Sequence, residues 1–262
     1  MRIVLSRKGF DSSAGGCPNP VFPDGSLFAL PIPDPCSAIA YRDVHWRGLD
    51  AGALASELTG DPGFPDRGAH LDPDLIRESY PRARGWRPLL GQTGAAGSHL
   101  HNQGVGTGDL FLFFALFRPV EPSGPGWRFV PGSASFHALW GWLQVDQVVG
   151  VDDLPDHRLR WARYHPHFQW GPDPRNTLYI ARRRLALPDA TVDAPGAGVF
   201  GSLREDLRLT APDARQPSRW RLPGFFMPTW NRPPLSYHHR RDRWQRRGGY
   251  CHLQAAARGQ EF

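Results

Sequence analysis

Apolar positions along this 262-residue chain come in short runs rather than long stripes. The apolar run at 2–6 predicts a strand, and LFALPI (27–32) a second, interrupted by proline. GDLFLFFALF (108–117) is apolar on both faces, the pattern of a central strand covered on both sides. After a Pro- and Gly-rich connection, ALWGWLQVDQVV (138–149) predicts its partner. Later strands are predicted at 177–187 (TLYIARRRLAL), at 207–210 (LRLT) and at 250–253. Helix signals are short. Asp50 reads as the N-cap of a helix through Leu58, closed by Gly60. In LDPDLIRESY, Asp72 reads as a cap, Pro73 as the first helical residue and Asp74 as an acid at the positive helix end. A third helix is predicted over 93–103, stopped by Gly104. The sum is an α+β chain: a β-rich mixed sheet, curved or barrel-like, with several short helices and long ordered loops.

Composition supports the loops. Gly (29) and Pro (27) fill 56 positions, which leaves little room for long helices. Ten Trp and fifteen Phe argue against disorder. There is no stretch of 18 apolar residues and no charged-then-apolar leader, so the expectation is a cytoplasmic protein without a membrane partner. Cys17, Cys36 and Cys251 are odd in number and lack CxxC spacing, which fits a reduced compartment.

Charge is uneven. From Arg215 onward, ten arginines face only Asp242 and Glu261, a balance of +8; the total of +6 therefore leaves residues 1–214 at −2. HHRRDRWQRR (238–247) packs five of those arginines around Trp244. Arginine with an interleaved aromatic suits a surface that grips phosphates and stacks on bases, and it also suits a solvated face. Lys8 is the only lysine, so arginine is the general cation here.

The stretch RKGFDSSAGG (7–16) is compatible with either a phosphate-binding junction or an ordinary Gly/Ser turn. It is not a Walker A loop. His99-Leu100-His101 is a poor metal pair on a helix, because residues two apart point about 200° apart. His99 and Asn102 do share a helical face. His70-x-Asp72-x-Asp74 has ligand-type residues at alternate positions, but a capping role for Asp72 accounts for it. His165-Pro166-His167 offers two imidazoles as acid, base or ligand, or as satisfied loop histidines; the latter is preferred. No metal set is assigned and the cofactor is unknown. GxSxG, HExxH and GxGxxG are absent.

RIVLSRKGFDSSAGGCPNPVFPDG at the start, GDLFLFFALF with GWLQV in the middle, and RGQEF at the end carry a resemblance. Together they resemble the third nucleotide modification associated domain family of bacteria and phages, over nearly the whole chain. The middle motif also looks like the GD-led strand of PUA-like and EVE-like barrels, which hold bases. The resemblance implies one domain, 1–262, with an Arg-rich segment at 215–262, acting on nucleotides or DNA bases; it brings no catalytic residues. On that footing, Asp11 and His99 are the proton-transfer candidates. Arg7, Lys8, Ser12, Ser13, Asn102, Asp109, Phe111 and Trp142 are expected to bind a nucleotide in an aromatic-walled pocket. Arg240, Arg241, Arg246 and Arg247 are expected to grip a nucleic-acid backbone. The alternatives are a non-catalytic reader of modified nucleic acid, or a structural partner of other proteins in a modification or defence complex.

Overall fold

The doubly apolar run becomes a 14-residue strand at the middle of the molecule, seen in a computed structural model that describes residues 1–236, 238, 240–255 and the backbone of 260 and 261. Arg258, Gly259 and Phe262 of the terminal motif, and His239 of the Arg-rich cluster, lie outside the described residues. In chain order the strands are β1 (Ile3–Arg7), β2 (Asn19–Val21), β3 (Ile32–Pro33), β4 (His45–Trp46), β5 (Leu49–Asp50), β6 (Ala69–His70), β7 (Leu89–Gln92) and β8 (Leu110–Ser123). They continue as β9 (Gly126–Phe129), β10 (Phe136–Gly150), β11 (Thr177–Ala181), β12 (Ala197–Val199), β13 (Arg219–Pro223), β14 (Trp244–Arg247), β15 (Tyr250–Gln254) and β16 (Gln260–Glu261). Two α-helices occur among the described residues, α1 (Ala51–Thr59) and α2 (Gly94–Asn102). None is long and apolar enough to cross a membrane.

The main sheet runs β16-β1-β8-β10-β11-β7. β1 lies parallel to the first part of β8, with Ile3 opposite Leu110 and Arg7 opposite Phe114. β8 and β10 pair antiparallel from Phe136–Phe117 to Gln144–Leu110. These two strands outrun their neighbours, so the sheet branches: β2 and β9 take the far part of β8, and β12 takes a stretch of β10. The expected α+β class, rich in strands, is what forms. The expected barrel is not: the sheet stays open, with β16 and β7 at its edges among the described residues. Length mismatch between the long central strands and their short partners favours branching over closure.

The faces of β8 divide the core. Phe111 and Phe113, both fully buried, pack with Trp140 and Tyr179 on one side. Phe114 meets Trp220 edge to face at 5.0 Å on the other, beneath the small sheet β13-β15-β14. Burying each such ring contributes roughly 2 kcal/mol. A third cluster joins Phe10, Tyr41, Trp46 and Phe64 to α1.

Three local expectations meet different fates. Asp50 caps α1 by accepting from Ala53 N at 2.8 Å, and Gly60 ends it in the left-handed region at φ 73°. The helix expected at LDPDLIRESY is absent. Asp74 instead exchanges both backbone hydrogen bonds with Leu89, and only a 3₁₀ turn forms at Arg77–Ser79. Pairing with β7 outweighs the local capping signal and leaves Asp72 with a fully buried side chain and no capping role. LRLT likewise gives a 3₁₀ turn (Glu205–Leu207) and isolated bridges rather than a strand.

Candidate functional site

The chain leaves β1 through the loop RKGFDSSAGG, which folds as a turn and lines a cleft at the same time. Asp11 Oδ1 accepts from Ser13 N, Ser13 Oγ and Ala14 N at 2.6, 2.7 and 2.9 Å, and its Oδ2 pairs with Arg7. Burial opposes the charge of Asp11, but the Ser13 bonds and Arg7 outweigh it and hold the carboxyl below its ordinary value. Gly15 sits at φ 91°, where a Cβ would lie 2.4 Å from the Phe10 ring. Lys8 N donates to Phe114 O, which registers the loop against β8. Arg7, Lys8, Asp11 and Ser13 then line a cleft of about 540 Å³, together with His70, Asp72, Gly91, His167 and Trp170.

Four separate segments deliver the polar groups at its floor. β6 pairs with β3, placing His70 opposite Ile32. Asp34, just past β3, then reaches His70 Nδ1 with Oδ2 at 2.7 Å. The same carboxylate accepts from Cys36 N and Trp170 Nε1, and the His70 bond is the main cause of its lowered pKa. An ionised Asp34 makes His70 Nδ1 the donor, so in the neutral ring Nε2 keeps its lone pair. That Nε2 lies 3.8 Å from Asp72 Oδ2.

His167 stands in the 3₁₀ turn Pro166–Phe168, buried, and its ring stacks on Trp170 at 4.9 Å. Asn176 Nδ2 donates to His167 O at 2.8 Å, which turns Oδ1 toward His167 Nδ1 at 2.7 Å. Nδ1 therefore carries the hydrogen and Nε2 the lone pair. Burial pushes the His167 pKa down to about 4, so the ring is neutral at pH 7. Gly91 makes room for it, because a Cβ there would meet the His167 ring at 2.2 Å.

Asp72 sits among these groups with its side chain fully buried. Oδ1 accepts from Gly91 N at 2.6 Å and Oδ2 from Lys8 Nζ at 2.7 Å. Buried His165 brings Nε2 to 3.4 Å from Oδ1, a close electrostatic contact without an aligned hydrogen bond. Burial disfavours the Asp72 charge, yet Lys8, His165 and His167 prevail and hold its carboxyl well below the ordinary carboxylate value. Asp74, on the same segment, anchors the histidine loop from behind: Tyr164, beside His165, donates to Asp74, as do Arg82 and Trp86. One buried carboxylate, three imidazoles and an ammonium thus converge, an arrangement able to bind a cation or to move protons.

Nucleotide modification associated domain 3 matches residues 2–262. The chain belongs to this family. No curated protein and no solved structure matches it.

In this member of the nucleotide modification associated domain 3 family, the residues singled out in the sequence do not all meet. Arg7, Lys8, Asp11 and Ser13 line the cleft; Ser12 is exposed on the same loop. His99 is on α2 and bonds Ser236 Oγ through Nε2 at 3.1 Å, while Asn102 is exposed at the end of that helix. Asp109 binds Arg2 N and Gly106 N at 2.7 and 3.0 Å, fixing the turn into β8. Phe111 is core, and Trp142 donates to Pro195 O and packs on Phe200. Arg240 pairs with Asp242, Arg241 donates to Thr229 O, and Arg246 and Arg247 are exposed on β14.

Asp34, His70, Asp72, His165, His167, Trp170 and Asn176 are not among the site residues expected from the sequence. Two signals for them existed, the alternate-position pairs His70-x-Asp72 and His165-x-His167. Each pair was explained locally, by a cap and by a loop.

Proposed function

We propose that this chain acts on a nucleotide or a DNA base held in the cleft above Asp72. The observation that supports it is the concentration of polar chemistry in a cleft that Arg7, Lys8 and Trp170 also line. Its volume falls in the range of small-molecule sites, about 300–1,000 Å³. The base stacks on the Trp170 indole, 37% exposed, and Arg7 and Lys8 face the phosphate. Proton transfer falls to the Asp72 cluster, where a carboxylate and imidazoles lie within reach of a ligand. Asp11 serves as the wall that aims Arg7.

Isothermal titration with the nucleoside monophosphates and a short single-stranded oligonucleotide tests this reading. Binding by at least one probe is expected, weakened tenfold or more by Trp170→Ala and by Arg7→Ala. Absence of binding to all of them, or unchanged affinity in both variants, overturns it.

A second reading, a non-catalytic reader of nucleic acid, draws support from Trp230, 93% exposed within the Arg-rich segment. Ala96 of α2 lines the cleft and His99 of the same helix bonds Ser236, so this segment is tied to the cleft's rim.

A further inference from the structure

The tautomers at the cleft floor have a consequence beyond acid–base chemistry. Both His70 and His167 spend Nδ1 on an oxygen acceptor, Asp34 and Asn176, and keep Nε2 for the interior of the site. Metal-bound histidines are arranged this way: an outer oxygen fixes the ring and its tautomer while the other nitrogen ligates. His70, Asp72 and His167 are all buried, and one ligand atom from each lies within 4.8 Å of the others.

We propose that His70 Nε2, Asp72 Oδ2 and His167 Nε2 bind one divalent transition-metal ion, leaving further coordination positions open to the cleft. Two imidazoles and one carboxylate with open positions form a donor set suited to zinc or ferrous iron rather than to magnesium or calcium. Tetrahedral zinc with bonds near 2.1 Å holds its ligands about 3.4 Å apart. His70 Nε2 and Asp72 Oδ2, at 3.8 Å, are already close to that spacing. The wider span of the set, up to 4.8 Å, has to shorten by at most about 1.4 Å on binding. Lys8, hydrogen-bonded to Asp72, and Arg7, paired with Asp11, line the same cleft. An anionic ligand is thereby drawn to the open side of the metal. That ligand's being a nucleotide rests on the reading above; the metal site itself does not.

The test uses the full chain without a histidine tag, stripped with a chelator. It is then titrated with zinc ion in air and with ferrous ion under anaerobic conditions, with bound metal counted by mass spectrometry. One ion per chain is expected, with micromolar or tighter affinity and a rise in Tm on loading. His70→Gln and His167→Gln should each weaken binding at least 100-fold, while His45→Gln, at an exposed position, leaves it unchanged. Circular dichroism of each metal-free variant separates loss of the site from loss of the fold. If either variant unfolds, Asp34→Asn is used in its place, expected to cost tenfold or more. Metal content of protein taken from its native host decides between zinc and iron. Affinity weaker than millimolar for both ions, or equal binding by wild type and variants, overturns the proposal. An ion bound without any nucleotide affinity sinks the nucleotide reading and keeps this one; nucleotide affinity without an ion does the reverse.

Discussion

Asp72 is where the charges of the cleft converge, and its neighbours set what happens to it. Its folded carboxyl lies below its unfolded value, so its stabilising contribution is present above about pH 4 and is lost as pH falls below that. Lys8→Met leaves the carboxylate buried without its ammonium. The expected cost is about 3–5 kcal/mol at pH 7, with a flatter decline of Tm between pH 5 and 3. Thermal melts across that range check both. An unchanged Tm at pH 7 would mean that Lys8 does not hold Asp72 ionised. Gly91 makes a second test. A methyl group there collides with the His167 ring, which Asn176 holds in place. Gly91→Ala should lower stability by about 1–3 kcal/mol and displace the imidazole. Bound metal and nucleotide affinity should fall more than that loss of stability explains; unaltered binding by both readouts would separate His167 from the site.

At the scale of elements, what local pattern determines was legible. The doubly apolar β8, its partner β10, the Asp50 cap with Gly60, and α2 all follow from periodicity and turn chemistry within ten or fifteen residues. The site was not, because proximity there is made by long-range pairing. His70 and Asp34 are 36 residues apart and meet only through β3 and β6. Asp72 and His165 are brought together from opposite sides of β8 and β10 in the chain. In LDPDLIRESY the local signals named a helix cap, and pairing between Asp74 and Leu89 overrode them. The Arg-rich segment sits at the same scale. Arg246 and Arg247 project from exposed positions of β14. If the segment grips a backbone, replacing Arg240, Arg241, Arg246 and Arg247 by Ala should weaken oligonucleotide binding alike for all sequences. The slope of log affinity against log salt should then drop by about 3 for four lost contacts. A salt-independent affinity in the wild type would remove this segment from the interface.

For the whole molecule, two buried histidines with lowered pKa values make stability sensitive to acid. His137 accepts from Trp220 Nε1 at 3.0 Å beneath the small sheet, and burial lowers its pKa to about 4, as it does for His167. The fold disfavours the protonated ring, whereas the unfolded chain takes a proton near pH 6.5. Stability should therefore fall as pH drops from 6.5 toward 4, by roughly 3 kcal/mol for each ring at most. His137→Gln should halve that decline; a Tm equal at pH 7 and pH 5 in the wild type would contradict it. The proposed function makes the larger claim, that the Asp72 cleft is the place where a nucleotide or base is modified. The most direct measurement is a nucleoside mass-spectrometric profile of DNA from the native host, with the gene intact, deleted, and restored as wild type or as Asp72→Asn. The account predicts a modified nucleoside that disappears or changes mass on deletion, returns with wild type and does not return with Asp72→Asn at matched protein level. Identical profiles for the intact and deleted strains, or full restoration by Asp72→Asn, would contradict it.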